Sequence, residues 1–123
     1  MPQLPPHYHL AHLWLDLTRQ LHKTVAPDLQ AQFGSRASLM LIATAVYLGT
    51  LEERPMTATK LADYVGMPRA TVIRRLRSLC RRGAVEKAGH HYRTPAKRLD
   101  RIGREDHRRL VQLVRTASEN LKR

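Results

Sequence analysis

The sequence predicts a mainly α-helical fold with a small β-hairpin, and three observations support this class. Its 123 residues, 42% of them hydrophobic and 26% charged, suit one soluble globular domain covering residues 1–123. Aromatic residues make up only 5%, and the Leu, Val, Ala and Ile that supply most of the apolar surface favour helices. Apolar residues recur at steps of three and four in most segments, whereas the strand signals lie around residues 84–94.

The first half of the chain contains two predicted helices. The first covers residues 8–26, has one apolar face and ends before Pro27, because the residue before a proline disfavours the helical conformation. The second covers residues 36–53, with Ser35 as a candidate N-cap, and is apolar on nearly all sides. We therefore expect the second helix at the centre of the fold.

Residues 57–83 have the pattern of a helix-turn-helix. Thr57 can cap a short helix with its hydroxyl, and Gly66 can end that helix in the left-handed conformation. Pro68 suits the first position of the next helix, where its missing N–H costs nothing, and Gly83 ends that helix. The pattern predicts two short helices that meet at a tight turn.

The second of these helices, residues 68–82, is both basic and amphipathic. Its predicted buried stripe is Val72, Ile73, Leu76, Leu79 and Cys80. In a helix-turn-helix the N-terminal half of the second helix meets base edges, where Arg can fork onto guanine and Thr or Ala can touch a thymine methyl. The candidates for base readout are Arg69, Ala70, Thr71, Arg74 and Arg75.

A short hairpin follows, with predicted strands over residues 84–88 and 91–94 around a Gly89-His90 tip. The hairpin offers groups that suit contacts with phosphates rather than with bases. The rest of the basic helix and the N-terminus of the helix before it offer such groups as well. The candidates for DNA-backbone contact are Thr57, Lys60, Arg77, Ser78, Arg81, Arg82, Lys87, His90, His91 and Arg93.

The charge balance points to a polyanionic partner. The chain has 22 Lys and Arg against 10 Asp and Glu, a net charge of +12. Residues 69–109 hold fourteen of these basic residues and four of the acidic ones, so +10 of the total lies in one third of the chain. Such an excess attracts nucleic acid, although a charge run is more commonly a solvated face without a partner.

The stretch from Met56 to Thr94 resembles the winged helix-turn-helix of bacterial transcriptional regulators. The shared pattern is T-x3-LA-x3-G-x4-TV-x3-L-x2-L-x3-G-x-V followed by a hairpin. The wider layout resembles the MarR-type dimeric repressors, with the IclR-type winged domain as the alternative. The resemblance implies a winged helix-turn-helix core over residues 36–94 and a small-molecule effector near Trp14, Leu17, Tyr47 and Tyr64.

A homodimer is expected from the terminal helices, residues 8–26 and 97–121. Each has an apolar stripe several turns long, and a small domain cannot cover both with its own residues. A two-fold partner could cover them and would set two basic helices roughly 34 Å apart on a pseudo-palindromic operator. Otherwise the stripes complete the monomer's own core. The interface candidates are Leu10, Leu13, Trp14, Leu17, Leu21, Leu110, Leu113, Val114, Ala117 and Leu121.

Other chemistry has weaker support. Phosphate-binding loops, paired carboxylates, nucleophile elbows and zinc motifs are missing from the sequence, so we expect neither an enzyme nor a cofactor. His9, His12 and Asp16, at i, i+3 and i+7, are a weak metal candidate. Cys80 has arginines on both sides that could lower its pKa, but its place on the apolar stripe favours packing.

The function that these observations predict is a sequence-specific, double-stranded DNA-binding transcriptional regulator, most simply a repressor. The alternatives are a nonspecific nucleoid or architectural protein and a winged-helix adaptor that binds another protein. The single cysteine excludes an internal disulfide, and the N-terminus lacks a signal peptide, which predicts a cytoplasmic, nucleoid-associated location.

Overall fold

The computed structural model describes residues 4–24, 34–104 and 107–122, with the backbone alone for residues 18–24, 34–36, 102–104, 107 and 109. Mainly helical with a small antiparallel sheet, the fold agrees with the prediction from composition and periodicity. Within these ranges no helix combines the length and apolarity that crossing a membrane requires. The elements in chain order are α1 (Pro6–Thr24), α2 (Gly34–Leu51), β1 (Met56–Thr57), α3 (Ala58–Val65), α4 (Arg69–Arg81), β2 (Glu86–Ala88), β3 (His91–Arg93), α5 (Ala96–Arg104) and α6 (His107–Leu121).

Three predicted helix boundaries differ from the structure or lie outside the described residues. Helix α2 already includes Gly34, so the prediction that Ser35 caps its N-terminus is wrong. The predicted stop before Pro27 lies outside the described residues. The single helix predicted over residues 97–121 corresponds to α5 and α6, and residues 105 and 106 between them lie outside the description.

Helix α2 is the centre of the packed core, as its apolar surface predicted. It packs against α1, α3, α4 and β3. Neighbouring residues such as Leu41 and Ile42, and the run from Ala45 to Leu48, are all buried, because partners cover the helix from several sides. Every other element of the basic region is therefore held, directly or through one neighbour, by α2.

Helix α1 packs on α2 through a face other than its predicted apolar stripe. Leu15 is fully buried, and Tyr8 and Ala11 lie on the same side at steps of three and four. The Tyr8 hydroxyl donates a hydrogen bond of 2.6 Å to Glu52 Oε2, just beyond the end of α2. Burial, together with the neighbouring Glu52 carboxylate, raises the pKa of Tyr8 to about 12.

The sheet has the order β1-β3-β2, with both pairings antiparallel. The hairpin of β2 and β3 was predicted, with strands one or two residues longer than those observed. Strand β1 was not predicted, since two residues, Met56 and Thr57, give no periodicity. The Thr50 hydroxyl of α2 donates to the Val46 carbonyl at 2.8 Å and accepts the Thr94 N–H at 2.9 Å, which fixes the exit of β3 to α2.

The connection from α3 to α4 follows the predicted turn chemistry. Thr57 caps α3, since its Oγ1 accepts the Lys60 N–H at 3.2 Å. Gly66 has φ +74° and ends α3, and the N–H groups of Gly66 and Met67 both donate to the Ala62 carbonyl. Pro68 lies one position before the predicted one, as the N-cap of α4, and its carbonyl accepts the Val72 N–H.

Helix α2 ends in a reversal that depends on a left-handed residue. Glu53 has φ +59° and is, within the described ranges, the one non-glycine residue with positive φ. The reversal brings the Arg54 N–H to the Gly49 carbonyl at 2.8 Å. A Cβ at Gly49 would lie 3.0 Å from the Arg54 carbonyl oxygen, a tighter contact than most Cβ atoms make, so this approach favours glycine.

We therefore predict that Glu53→Gly stabilises the protein. A left-handed conformation costs a residue with a Cβ roughly 1–2 kcal/mol, and glycine avoids most of this cost. The free energy of unfolding, measured with urea, should rise by about 0.5–1 kcal/mol. The matched control Arg54→Gly, next to it and without positive φ, should leave the stability unchanged or lower it. Equal effects of both substitutions would contradict the strain at Glu53.

Candidate functional site

Helix α4 presents one apolar stripe to the core and cations elsewhere. Val72, Leu76 and Leu79 are buried, at steps of four and three. At 100° per residue, Arg74 and Arg81 lie within about 20° of the point opposite Val72. The exposed arginines of the α4 segment are Arg69, Arg74, Arg77, Arg81 and Arg82.

The buried stripe of α4 is narrower than predicted. Ile73 and Cys80 were assigned to it, but both are only partly buried. Both instead line a groove between α4 and the β2–β3 hairpin. The groove gives α4 a half-apolar flank that the helical periodicity could not distinguish from the core.

The groove has a volume of about 700 Å³ and is formed by the start of α3, one flank of α4 and the hairpin. Among the residues that line it, four are Lys or Arg and none is Asp or Glu. Cations and apolar surface lie side by side in this groove. The lining residues are Thr57, Ala58, Thr59, Arg69, Ile73, Arg77, Cys80, Arg81, Lys87, His90 and Tyr92.

The five base-readout candidates do not form one surface. Arg75 Nε donates to Ser38 Oγ of α2 at 3.0 Å, and the Arg75 side chain is half-buried. Thr71, one turn before it, is also half-buried, whereas Ala70 and Arg74 are exposed. Arg75 therefore forms part of the packing between α4 and α2. The prediction could not foresee a contact between residues 37 positions apart.

Arg69 lies at the other flank of α4, in the groove. Its Nε donates to the Thr59 hydroxyl at 3.0 Å, across the turn that joins α3 to α4. The bond uses one of the five guanidinium N–H groups and holds the side chain over the start of α3. Thr59 was not among the sequence candidates, and an exposed threonine in the first turn of a helix gives little signal of such a role.

The hairpin divides its charged side chains between its two faces. Lys87 and Tyr92 are paired in register on the groove side, with Lys87 Nζ 5.8 Å from the centre of the Tyr92 ring. Glu86 and Arg93 form the next pair, and Arg93 Nε lies 3.2 Å from Glu86 Oε1. The charge of Arg93 is therefore partly compensated, while Lys87 remains with the cations of the groove.

The remaining backbone candidates have different positions. Thr57 and His90 line the groove. His91 pairs with Thr57 in the sheet and is exposed. The other three lie outside the groove lining: Lys60 is exposed on α3, Ser78 is half-buried on α4, and Arg82 is exposed at the C-terminal end of α4.

The environment of Cys80 favours the thiol. Burial raises the pKa of Cys80, and the nearby Lys87 ammonium opposes this with a smaller effect. The alternative in which a positive field lowers the pKa of Cys80 therefore has no support, since the desolvation of the thiolate outweighs that field.

The histidine cluster on α1 is not assembled as a metal site. His12 Nδ1 and Asp16 Oδ2 lie 2.9 Å apart, one turn apart on α1. His9 contacts the Tyr8 ring edge-on. Among the described residues, no three His, Cys, Asp or Glu side chains converge in a geometry that could hold a metal ion.

Most of the predicted interface residues are apolar side chains that lie exposed on α1 and α6. On α1, Leu13, Trp14 and Leu17 are 38–54% exposed, while Leu10 is half-buried and the Leu21 side chain lies outside the description. The candidates on α6 are exposed at Leu110, Leu113, Val114, Ala117 and Leu121. The two helices contact each other, so their exposed apolar side chains belong to neighbouring elements.

The residues suggested for an effector are not gathered around the groove. Tyr47 is buried in the core and Tyr64 is half-buried, whereas Trp14 and Leu17 are exposed on α1. None of the four lines the groove beside α4.

The different surroundings of Arg74 and Arg75 lead to a stability prediction. Arg75→Ala should lower the free energy of unfolding by about 1–2 kcal/mol, because it removes the hydrogen bond to Ser38 and the packing of the side-chain stem. The exposed neighbour provides the control, since Arg74→Ala should stay within about 0.5 kcal/mol of the wild type. Urea denaturation measures both, and Ser38→Ala should cost less in the Arg75→Ala background than in the wild type. Additive losses would show that the two side chains act independently.

Comparison with known proteins identifies one family. Residues 37–119, two thirds of the chain, match the family model described as the HVO_A0261 N-terminal domain. No curated protein and no solved structure gives a significant match. The matched segment begins in α2 and ends within α6, so it contains α4, the hairpin and the groove between them. On this match, the chain belongs to the HVO_A0261 N-terminal domain family.

Proposed function

We propose that this protein binds double-stranded DNA as a transcriptional regulator with a winged helix-turn-helix. In this proposal α3 and α4 are the helix-turn-helix, α4 is the recognition helix, and the β2–β3 hairpin is the wing. The observation that carries the proposal is the cationic surface that extends from α4 to Lys87 on the hairpin without an acidic side chain in the groove between them. A polyanion is the partner that such a surface attracts most strongly.

The position of each arginine supports a division of roles. Arg74 projects from the side of α4 opposite the core, next to the small Ala70, so this side can enter a major groove and bring a guanidinium to a guanine. Arg69, Arg77 and Arg81 lie at or beside the groove and suit phosphate contacts. Arg75 is removed from direct readout in this proposal, because its Nε is bonded to Ser38.

We also propose a homodimer formed through α1 and α6. Leu17 is 54% exposed, Leu113 is 48% exposed, and Leu121 at the end of α6 is 84% exposed. Exposed apolar side chains on two contacting helices favour an apolar partner, and a second copy offers the same surface in a two-fold arrangement. Two copies would present two α4 helices to successive turns of one face of the duplex, roughly 34 Å apart.

Regulation in this proposal requires no chemistry on the DNA. The protein occupies a promoter site and thereby excludes or recruits the transcription machinery. The same basic surface would also serve a nonspecific architectural protein, so sequence preference is the property that separates the two functions. A protein-binding adaptor has less support, because it has no need of a groove lined by four Lys and Arg residues and no acidic ones.

Selection from random duplexes tests the proposed function. We expect enrichment of one motif with two-fold symmetry, and an affinity whose logarithm falls linearly with the logarithm of salt concentration, by about 0.9 per phosphate neutralised. Arg74→Ala should relax base preference at one position per half-site, whereas Arg81→Ala should weaken binding to all sequences alike. Equal affinity for every duplex would leave an architectural protein, and absence of binding at low salt would exclude both functions.

The proposed dimer depends on the apolar side chains of α1 and α6. Leu17→Glu with Leu113→Glu should convert a species of about twice 14.1 kDa into a monomer, because two charges would then be buried without partners. Light scattering measures the mass. Binding to a two-half-site duplex should fall at least tenfold, with half-site binding retained. Met40→Glu, at an apolar residue 60% exposed on α2, is the control and should remain dimeric. A monomeric wild type would contradict the proposal.

A further inference from the structure

The groove beside α4 combines two chemically different surfaces. Arg69, Arg77 and Lys87 supply cations from α4 and from the hairpin, so the groove is charged on both sides. Ile73, Cys80 and Tyr92 supply apolar surface between them. Ile73 and Cys80 are only partly buried, although their spacing on α4 would suit core residues. The groove is therefore an apolar channel with positive sides.

The size and composition of the groove limit what fits it. Its volume of about 700 Å³ is within the range of sites that hold drug-sized molecules, so a lone phosphate ion would leave most of it empty. A simple inorganic anion would also leave the apolar surface of Ile73 and Tyr92 uncovered. The suitable ligand has negative charges at intervals and apolar groups between them, as the alternating phosphates and deoxyriboses of a DNA strand do.

The local charges favour the same ligand. No acidic residue lines the groove, and the nearest acid of the hairpin, Glu86, is bonded to Arg93 in the neighbouring register pair. Arg69 is held by Thr59 at 3.0 Å, and Lys87 lies 5.8 Å from the centre of the Tyr92 ring. Contacts within the protein thus hold both cations beside the channel, which lowers the entropy cost of binding an anion there.

We propose that this groove binds the sugar–phosphate backbone of one DNA strand, with phosphates at Arg69, Arg77 and Lys87 and deoxyribose against Ile73 and Cys80. The inference rests on the proposed DNA binding and specifies where one strand lies. The strand then passes between α4 and the hairpin. Cys80 becomes covered when DNA binds, and this gives the inference a direct readout.

The test is the rate at which a maleimide modifies Cys80, the one cysteine of the chain, measured by mass spectrometry. In low salt, saturating duplex should slow the modification at least tenfold. Salt high enough to dissociate the complex should restore the rate. Fluorescence anisotropy on the same samples measures how much duplex is bound.

The controls identify the source of any protection. In a Cys80→Ser protein, a cysteine introduced as Glu119→Cys on exposed α6 should react at the same rate with and without duplex. Inorganic phosphate and a deoxynucleoside monophosphate, each at millimolar concentration, should protect Cys80 far less than duplex. Protection by the mononucleotide equal to that by duplex would overturn the inference in favour of a free-nucleotide site.

The other outcomes separate this inference from the proposed function. Duplex that is bound but leaves Cys80 as reactive as in the free protein overturns the inference alone. Absence of any bound duplex overturns the proposed function as well. Arg77→Ala should reduce the slope of log affinity against log salt by about 0.9, corresponding to one phosphate, whereas Arg54→Ala, at an exposed residue outside the groove, should leave it unchanged. Equal slopes for both variants also contradict the inference.

Discussion

The attachment of α4 to the core through three buried side chains is the interaction on which the basic surface depends. Val72, Leu76 and Leu79 pack on α2 and α3, and the helix between them is otherwise rich in like charges. Arginines three and four residues apart, such as Arg74, Arg77 and Arg81, repel one another, so this helix is weakened in isolation. Burial of the apolar stripe offsets the repulsion and holds the charges on one side of the molecule.

The repulsion between these arginines also makes the surface favour a polyanion over a neutral ligand. A polyanion that neutralises several of these arginines removes an unfavourable term of the folded protein in addition to forming new contacts. Binding of DNA as proposed would therefore raise the free energy of unfolding. The increase would exceed the one produced by a ligand of similar size that binds an uncharged surface. The matched family segment, residues 37–119, contains this whole arrangement, whereas α1 with its exposed Trp14 and Leu17 lies outside it.

Local signals allowed much of the fold to be predicted. The cap at Thr57 and the left-handed Gly66 act within a few residues, so sequence alone was sufficient to locate the turn between α3 and α4. Strand β1 could not be predicted, because its two residues are extended only through pairing with Tyr92 and His91, far along the chain. Helix α1 was placed correctly, but its buried face at Leu15 depends on how α2 lies against it.

The candidate site was harder to predict than the fold, because it depends more on contacts between distant parts of the chain. Periodicity assigns Ile73 and Cys80 to the apolar side of α4, but it cannot show that the hairpin stands away from them and leaves a groove. Nor can it separate Arg74 from its neighbour Arg75, which turns back to Ser38. Charge and spacing identify the element that carries most of the basic surface. The tertiary contacts decide which of its side chains remain available.

The Thr50 hydroxyl, which joins Val46 within α2 to the N–H of Thr94 after β3, has a mechanical consequence. It attaches the end of β3 to the same helix that supports α4. The hairpin and α4 are thus both attached to α2, and this common attachment sets the distance between them. If the groove binds a strand as proposed, this attachment favours a ligand whose width matches the existing distance between α4 and the hairpin.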